Sequence, residues 1–372
     1  MYIHIPFCRN ACSYCDFHFS VSFFYLDDMI EAIINEIAQR KNYLEGAILE
    51  TIYFGGGTPS VLNKNHLARI MEAIFSNYKI SLSREITLEA NPDDLTSEYL
   101  SDIVRLGFNR LSIGVQSFYQ DDLKLMNRTH DSEQAKRCIH ASRDAGLTNL
   151  NVDLIYGFPG LTMKKWDYNI CKIIELDVEH LSAYHITYEP GTRLYYLKRK
   201  SKLQEAKESA SIEQYKLLKS KMQDQGYIHY EISNFAKEGY YSKHNVAYWT
   251  GQSYLGIGPS AHSFNGFSRQ WNISKNMSYI LGVKKERDFS VEEMINDKTK
   301  YHELVMTNLR TMWGVDLQHI ENSFDNKIVF HFNSVANRFF ESGDLRMSEG
   351  RICLTDKGML IADYITKEMF LE

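Results

Sequence analysis

The chain has 372 residues, 44% apolar and 24% charged, enough to bury a full core in one large domain with a smaller one beside it. A formal net charge of -5 argues against a nucleic-acid binder that works by phosphate neutralisation, and no apolar run approaches the length of a membrane span. Six cysteines without a paired pattern fit a reducing cytosol, and no secretory signal is expected because a cysteine motif already begins at residue 8.

A short apolar run, residues 2–7, reads as a strand and leads into Cys8, Cys12 and Cys15 at C-x3-C-x2-C spacing. Three thiolates on one tight loop can converge on a soft metal centre, and thiolates are the usual ligands of iron-sulfur clusters. Three ligands leave one iron of a [4Fe-4S] cube unclaimed, an opening that catalytic sites keep and structural sites close. The other reading is a zinc loop completed by His4 or His18, although zinc sites usually add a distant second cysteine pair. Cys138, Cys171 and Cys353 stand singly in apolar patterns and are expected to be buried small hydrophobes.

Apolar residues at helical spacing predict a helix over 25–43. A strand over 51–54 follows, then Gly55-Gly56-Gly57-Thr58-Pro59, and the alternation continues: helix 66–78, strand 85–89, helix 97–106, strand 110–115, helix 132–145, strand 151–155, helix 166–176, strand 181–188. Strands alternating with helices imply a parallel sheet with right-handed crossovers. Six such units suit an incomplete (β/α)6 TIM-like barrel, with an open doubly wound sheet as the alternative. In both, functional residues belong at the carboxyl ends of the strands.

The unusual residues sit at those ends. Gly55 to Gly57 would let backbone approach a ligand closely, or would form a plain tight turn. Glu89, ending the third strand, could hold an ammonium or cap a turn. Gln116 ends the fourth strand, and Arg128 is suited to bidentate capture of a carboxylate. Asp153 lies in an otherwise apolar strand and must be paired or bound to a ligand. Gln116, Arg128 and Asp153 would surround one polar ligand, though an Arg128–Asp153 ion pair would account for two of them equally well.

Further on, residues 198–207 read as a solvated linker or helix start. His244-Asn245-Val246-Ala247-Tyr248-Trp249 is an H-N-x-x-Y-W element; if helical, it sets His244 beside Tyr248 and Asn245 beside Trp249. An imidazole next to two amphipathic rings can ligate haem iron and pack against a porphyrin, whereas a lone histidine is more often simply hydrogen-bonded. His262, in a glycine-punctuated loop, is a second candidate ligand, with a hydrogen bond to backbone as its expected role. From 291 the pattern turns helical, followed by a strand-like 351–355 and a final helix, which suggests a mostly helical, winged-helix-like domain. The expected division is 1–235, the barrel; 236–290, a connecting segment with the H-N-x-x-Y-W element; and 291–372, the C-terminal domain.

The elements IHIPFC, CSYCDF, YFGGGTP, LEANP, GVQSF, MNR and DLIYGFPG, in this order, resemble the branch of radical S-adenosyl-L-methionine (SAM) proteins related to oxygen-independent coproporphyrinogen III oxidase, from Tyr2 to the C-terminus. The resemblance implies that Cys8, Cys12 and Cys15 hold a [4Fe-4S] cluster, with Tyr2, Gly56 and Glu89 contacting SAM on it. Gly57, Thr58, Gln116, Arg128 and Asp153 match positions that line a second SAM site in the oxidase. Two departures are expected to matter: Phe17 stands where the oxidase has a further cysteine, and the oxidase's long N-terminal extension is missing. The H-N-x-x-Y-W element resembles the haem-binding motif of HemW-type haem chaperones, which implies haem at His244, Asn245, Tyr248 and Trp249. The expected function is then a cytoplasmic haem chaperone that serves respiratory haem proteins, takes electrons from a donor and binds no nucleic acid. Contact with the inner face of the membrane and a homodimer are left open. The alternative is the oxidase itself, which decarboxylates the propionates of coproporphyrinogen III. A radical SAM enzyme acting on RNA is disfavoured by the acidic balance.

Overall fold

The structure, a computed structural model, describes residues 1–371; Glu372, at the end of the expected C-terminal domain, lies outside the described residues. The chain begins with β1 (Tyr2–Ile5), α1 (Leu26–Gln39), β2 (Leu49–Gly56), α2 (Lys64–Asn77), β3 (Ile80–Ala90) and α3 (Ser97–Arg105). It continues with β4 (Arg110–Gln116), α4 (Gln120–Leu125), α5 (Ser132–Asp144), β5 (Leu150–Tyr156), α6 (Met163–Glu175) and β6 (His180–His185). Strands β1 to β6 lie side by side in chain order, all parallel. A doubly wound sheet would reverse its order at a switch point. This one does not, so the architecture is the incomplete barrel.

Alternation along the strands explains why the sheet curls around a polar interior. Ile3, Ile5, Ile52, Phe54, Ile86, Leu88, Leu111 and Ile113 are buried in the barrel's hydrophobic core. The residues between them, including Tyr2, His4, Thr51, Tyr53, Glu85, Glu89, Arg110 and Ser112, face the opposite side by the period of two. Asn63, Thr96, Asp131 and Thr162 cap α2, α3, α5 and α6 with side-chain oxygens, fixing where each crossover helix starts.

After β6 come α7 (Arg193–Arg199), α8 (Glu208–Asp224), β7 (Ile228–Glu231), β8 (Asn234–Ala236), α9 (Lys243–Trp249) and β9 (Gly256–Ile257). β8 pairs antiparallel with β6 and β7 with β8, while β9 runs parallel beside β1 and completes nine strands. The stretch 236–290 therefore contributes an edge strand to the barrel as well as connecting it onward.

β10 (His262–Phe264), β11 (Ser268–Asn272), α10 (Asn276–Lys284) and β12 (Ser290–Met294) follow, with the three strands forming an antiparallel sheet. Residues 291–294 thus begin as strand, not helix. Glu292 accepts from the Ser268 hydroxyl at 2.7 Å and the Gln270 amide at 2.9 Å, and these cross-strand bonds override the helical spacing. The helix starts later, behind the Asn296 cap: α11 (Asp297–Leu309), then β13 (Val315–Asp316), α12 (Leu317–Ser323), α13 (Asn326–Glu341), β14 (Leu345–Ser348), β15 (Arg351–Leu354), α14 (Asp356–Met359) and α15 (Ala362–Met369). This mostly helical region has its own hydrophobic core around Tyr301, Phe332 and Ile365. Cys138 and Cys353 are buried as expected, but Cys171 is exposed. It stands one step off the stripe of Trp166, Ile170 and Ile173 that α6 turns inward. Among the described residues no helix is long and apolar enough to cross a membrane.

Candidate functional site

The cysteine loop leaves the carboxyl end of β1 and is pinned from three sides. Gly57 N–H donates to Ile5 O at 2.8 Å and Thr58 N–H to Phe7 O at 2.8 Å, which joins the end of β2 to the start of the loop. Cys8 N–H donates to Ser20 O and Ser13 N–H to Met126 O, both at 3.0 Å. Cys8, Cys12 and Cys15 line one cavity of about 470 Å³ together with Gly56, Gly57, Thr58, Glu89, Gln116, Arg128 and Asp153. Tyr2 lines the adjoining cavity of about 480 Å³, which shares Asp16, Phe17, Gly56 and Glu89 with the first. The fold thus gathers into two contiguous spaces every residue expected for cluster and SAM.

The donor set suits a cluster. The Thr58 hydroxyl donates to Cys8 Sγ and Arg128 Nη1 to Cys12 Sγ, both at 3.3 Å, which stabilises sulfur carrying negative charge. Burial pushes the Cys8 thiol up to about 11 and the Cys15 thiol up to about 12, so iron binding must displace protons. Among the described residues no three cysteine, histidine or carboxylate side chains converge on a single metal ion. A cube of irons does not require that, since each thiolate takes a different iron. Neither histidine of the zinc reading lines the cysteine cavity: His4 Nε2 is bonded to His18 O at 3.0 Å, and His18 Nε2 to Asn276 Oδ1 at 2.7 Å.

The remaining walls match a ligand with cationic and anionic ends. Gly56 has φ +109°, and a Cβ there would stand 2.6 Å from the His4 ring, so only glycine fits. Glu89 accepts from the Tyr53 hydroxyl at 2.8 Å, and burial pushes its carboxyl up to about 7. Burial also raises Asp153, against the 2.7 Å hydrogen bond from Asn151 Nδ2. Arg128 makes no ion pair with Asp153; its Nη2 donates to Asn91 Oδ1 and Gly114 O, each at 2.6 Å. Two half-buried carboxylates with no direct ion pair among the described residues, the strained Gln116 at φ +68°, and the partnerless Gln116 Oε1 and Arg128 Nε all point to a bound polar ligand. SAM, with its ammonium, sulfonium and carboxylate, fits that set.

The H-N-x-x-Y-W element is helical, as α9, and closes the barrel floor. The N–H groups of Lys243 and His244 both donate to the Glu85 carboxylate at 3.3 Å, and Ser242 caps the helix. His244 is 3% exposed. Its Nδ1 shares a hydrogen bond with Thr51 Oγ1 at 2.8 Å, its Nε2 with the Tyr248 hydroxyl at 3.1 Å, and its ring stacks on Tyr53 at 4.9 Å. The expected pairing of His244 with Tyr248 is present, and both ring nitrogens are engaged, one by Thr51 and one by Tyr248. Trp249 lies under the Arg310 guanidinium, 5.9 Å away, and its backbone O accepts from Asn308 Nδ2 at 3.4 Å. Asn245 donates its N–H to the Ser242 cap. Beside α9 opens a cavity of about 790 Å³ lined by Tyr43, Ile48, Tyr241, Val246, Tyr248 and Tyr254. Tyr248 and Tyr254 also line the cavity next to the cluster loop, and so form the partition between floor and mouth. Thr51, Tyr53 and Glu85 were not singled out from sequence. Their signal is the polar or aromatic residue at every second place in β2 and β3.

Residues 2–168 match the Radical SAM superfamily and residues 295–361 the HemN C-terminal domain. Over 367 residues the chain is 34% identical to the heme chaperone HemW of Bacillus subtilis (strain 168), covering 98% of this chain and 97% of that protein. The chain belongs to the HemW family. The HemW of Lactococcus lactis subsp. lactis (strain IL1403) is 32% identical over 371 residues, covering 100% of this chain and 97% of the relative. Among solved structures, coproporphyrinogen III oxidase (HemN) from Escherichia coli superposes with a TM-score of 0.85 at 24% identity, over 99% of this chain and 89% of that one. At that identity the likeness between this HemW-family chain and HemN speaks for the fold alone.

Proposed function

We propose that this chain is a haem chaperone: it binds haem in the cytoplasm and passes it to respiratory haem proteins, and it carries a [4Fe-4S] cluster with a SAM site. The observation that carries this reading is the full-length likeness to proteins named heme chaperones. Cys8, Cys12 and Cys15 would hold the cluster, and Tyr2, Gly56, Gly57, Thr58, Glu89, Gln116, Arg128 and Asp153 would hold SAM. When bound, the cluster supplies one-electron chemistry at the SAM sulfonium.

The chain's own residues do the positioning. Glu89 and Asp153 neutralise cationic groups in a buried cavity, Arg128 orients a carboxylate, and Gly56 and Gly57 let backbone approach the ligand. Haem is taken by the cavities on either side of Tyr248 and Tyr254, with Asn245 and Trp249 tying α9 to its neighbours. We read 1–235 as the barrel, 236–290 as the connection and 291–372 as the C-terminal domain.

An anaerobic haem titration of the cluster-reconstituted protein, followed by absorbance, tests the reading. Saturable uptake with a defined Soret band is expected. Absence of uptake, with carbon dioxide released from coproporphyrinogen III, would move the chain to the oxidase reading.

A further inference from the structure

We infer that Asn151 and His180 are positioning residues for the SAM site: with Tyr230 behind them they form a one-way chain of hydrogen bonds that holds the Asp153 carboxylate at the cavity wall. This rests on the reading above that the cavity takes SAM. Asp153 lines the cavity of the three cysteines, whereas Asn151, His180 and Tyr230 are buried and do not line it. Their effect on the ligand therefore passes through Asp153.

Strand register sets up the chain. Ser112 of β4, Asn151 of β5 and His180 of β6 stand directly opposite one another, and Asp153, two residues along β5, stands opposite Ser182. Asn151 and Asp153 turn to the same face of the strand by the period of two. Asn151 Nδ2 donates to Asp153 Oδ1 and to Ser112 Oγ, both at 2.7 Å, and the Ser112 hydroxyl donates to Asp153 Oδ2 at 3.5 Å. Asn151 Oδ1 lies 2.6 Å from His180 Nδ1 and accepts from the Ser182 hydroxyl at 3.1 Å. At the far end His180 Nε2 lies 2.7 Å from the Tyr230 hydroxyl.

Donor and acceptor chemistry fixes the direction of every bond. An ionised carboxylate only accepts, so the Asn151 amide must present Nδ2 to Asp153 and keep Oδ1 as an acceptor. An amide oxygen cannot donate, so His180 Nδ1 carries the ring proton. In that tautomer Nε2 accepts, and the Tyr230 hydroxyl donates to it. Burial and the Arg110 guanidinium keep the imidazole neutral, the state this direction requires. Each donor polarises the next, and the chain ends on the carboxylate. Burial raises the proton affinity of Asp153, and the Asn151 hydrogen bond opposes that rise. A carboxylate already fixed in orientation is preorganised for the cationic end of SAM and loses little freedom when the ligand arrives.

The test is an anaerobic calorimetric titration of SAM into the cluster-reconstituted protein. Wild type is compared with Asn151→Leu, His180→Leu, His180→Asn, Asp153→Asn and the double variant of Asn151→Leu with Asp153→Asn, and the thermal unfolding of each is recorded. Asn151→Leu and His180→Leu should each weaken SAM binding about tenfold, the worth of one hydrogen bond to a charged group. His180→Asn sets an amide N–H where the imidazole Nδ1–H stood and should regain most of the affinity. Adding Asn151→Leu to Asp153→Asn should cost nothing further, because the chain acts only through the carboxylate, whereas a general structural role would add its loss in both backgrounds. Wild-type affinity in Asn151→Leu would overturn the assignment, as would a full extra loss in the double variant or His180→Asn binding no better than His180→Leu. Where the leucine variants fail to fold, Tyr230→Phe, which removes a single oxygen, decides the point: about threefold weaker binding is expected, and unchanged affinity would overturn the chain. Failure of wild type to bind SAM would overturn the reading of the cavity, and this assignment with it.

Discussion

Thr51 Oγ1 and His244 Nδ1 lie 2.8 Å apart, a hydrogen bond that fastens the barrel's second strand to the helix closing its floor. Thr51→Val removes one partner and leaves a buried imidazole nitrogen unsatisfied. That costs about 1–3 kcal/mol, and the urea midpoint should fall without a change in slope. A variant as stable as wild type would show that the contact is dispensable.

Gly56 packs against His4, and any side chain there would press on the imidazole ring. Gly56→Ala should therefore abolish SAM binding measured by calorimetry and lower the melting temperature together. Loss of SAM binding at unchanged stability would point to a ligand clash instead of backbone strain.

Burial pushes the Glu89 carboxyl up to about 7. Its charge is present above that pH and is lost on acidification, so affinity for the cationic end of SAM should weaken as pH falls from 8 to 6. The linkage to folding has the opposite sign. The folded carboxyl binds its proton more tightly than the unfolded one, so this group's contribution to stability is lost as pH rises through 7. Glu89→Gln should flatten both dependences, and a binding curve unaffected by the substitution would remove Glu89 from the site.

Cys8→Ala, Cys12→Ala and Cys15→Ala should each lose the iron and sulfide that wild type takes up on reconstitution. Cys171→Ala, at an exposed position on α6, should keep them. Full cluster content in any of the first three variants would break the ligand assignment.

Much of this molecule is legible in the sequence because the decisive signals are local. The three cysteines stand on one loop, so their spacing alone places them together, and the period-two runs around Ile52 and Phe54 or Leu111 and Ile113 mark barrel strands directly. Glu89 is readable as an unusual charge at a strand end and Asp153 as one within an apolar strand. Contacts distant in sequence were not readable. His244 offered an imidazole of the right type, but its partner Thr51 is 193 residues away, and only the closed barrel reveals that both nitrogens are engaged. For the same reason β12 looked helical until β11 supplied its partners, and Cys171 looked buried until α6 was rotated by Trp166 and Ile170.

Haem bound here is expected to move on to another protein. Anaerobic mixing of the haem-loaded, cluster-reconstituted chain with the haem-free form of a respiratory b-type cytochrome, followed by its Soret band, tests this most directly. The donor's spectrum should decay as the cytochrome's appears, faster than with free haem at the same concentration. Haem that stays on the donor, or that reaches the cytochrome no faster than free haem does, would contradict it.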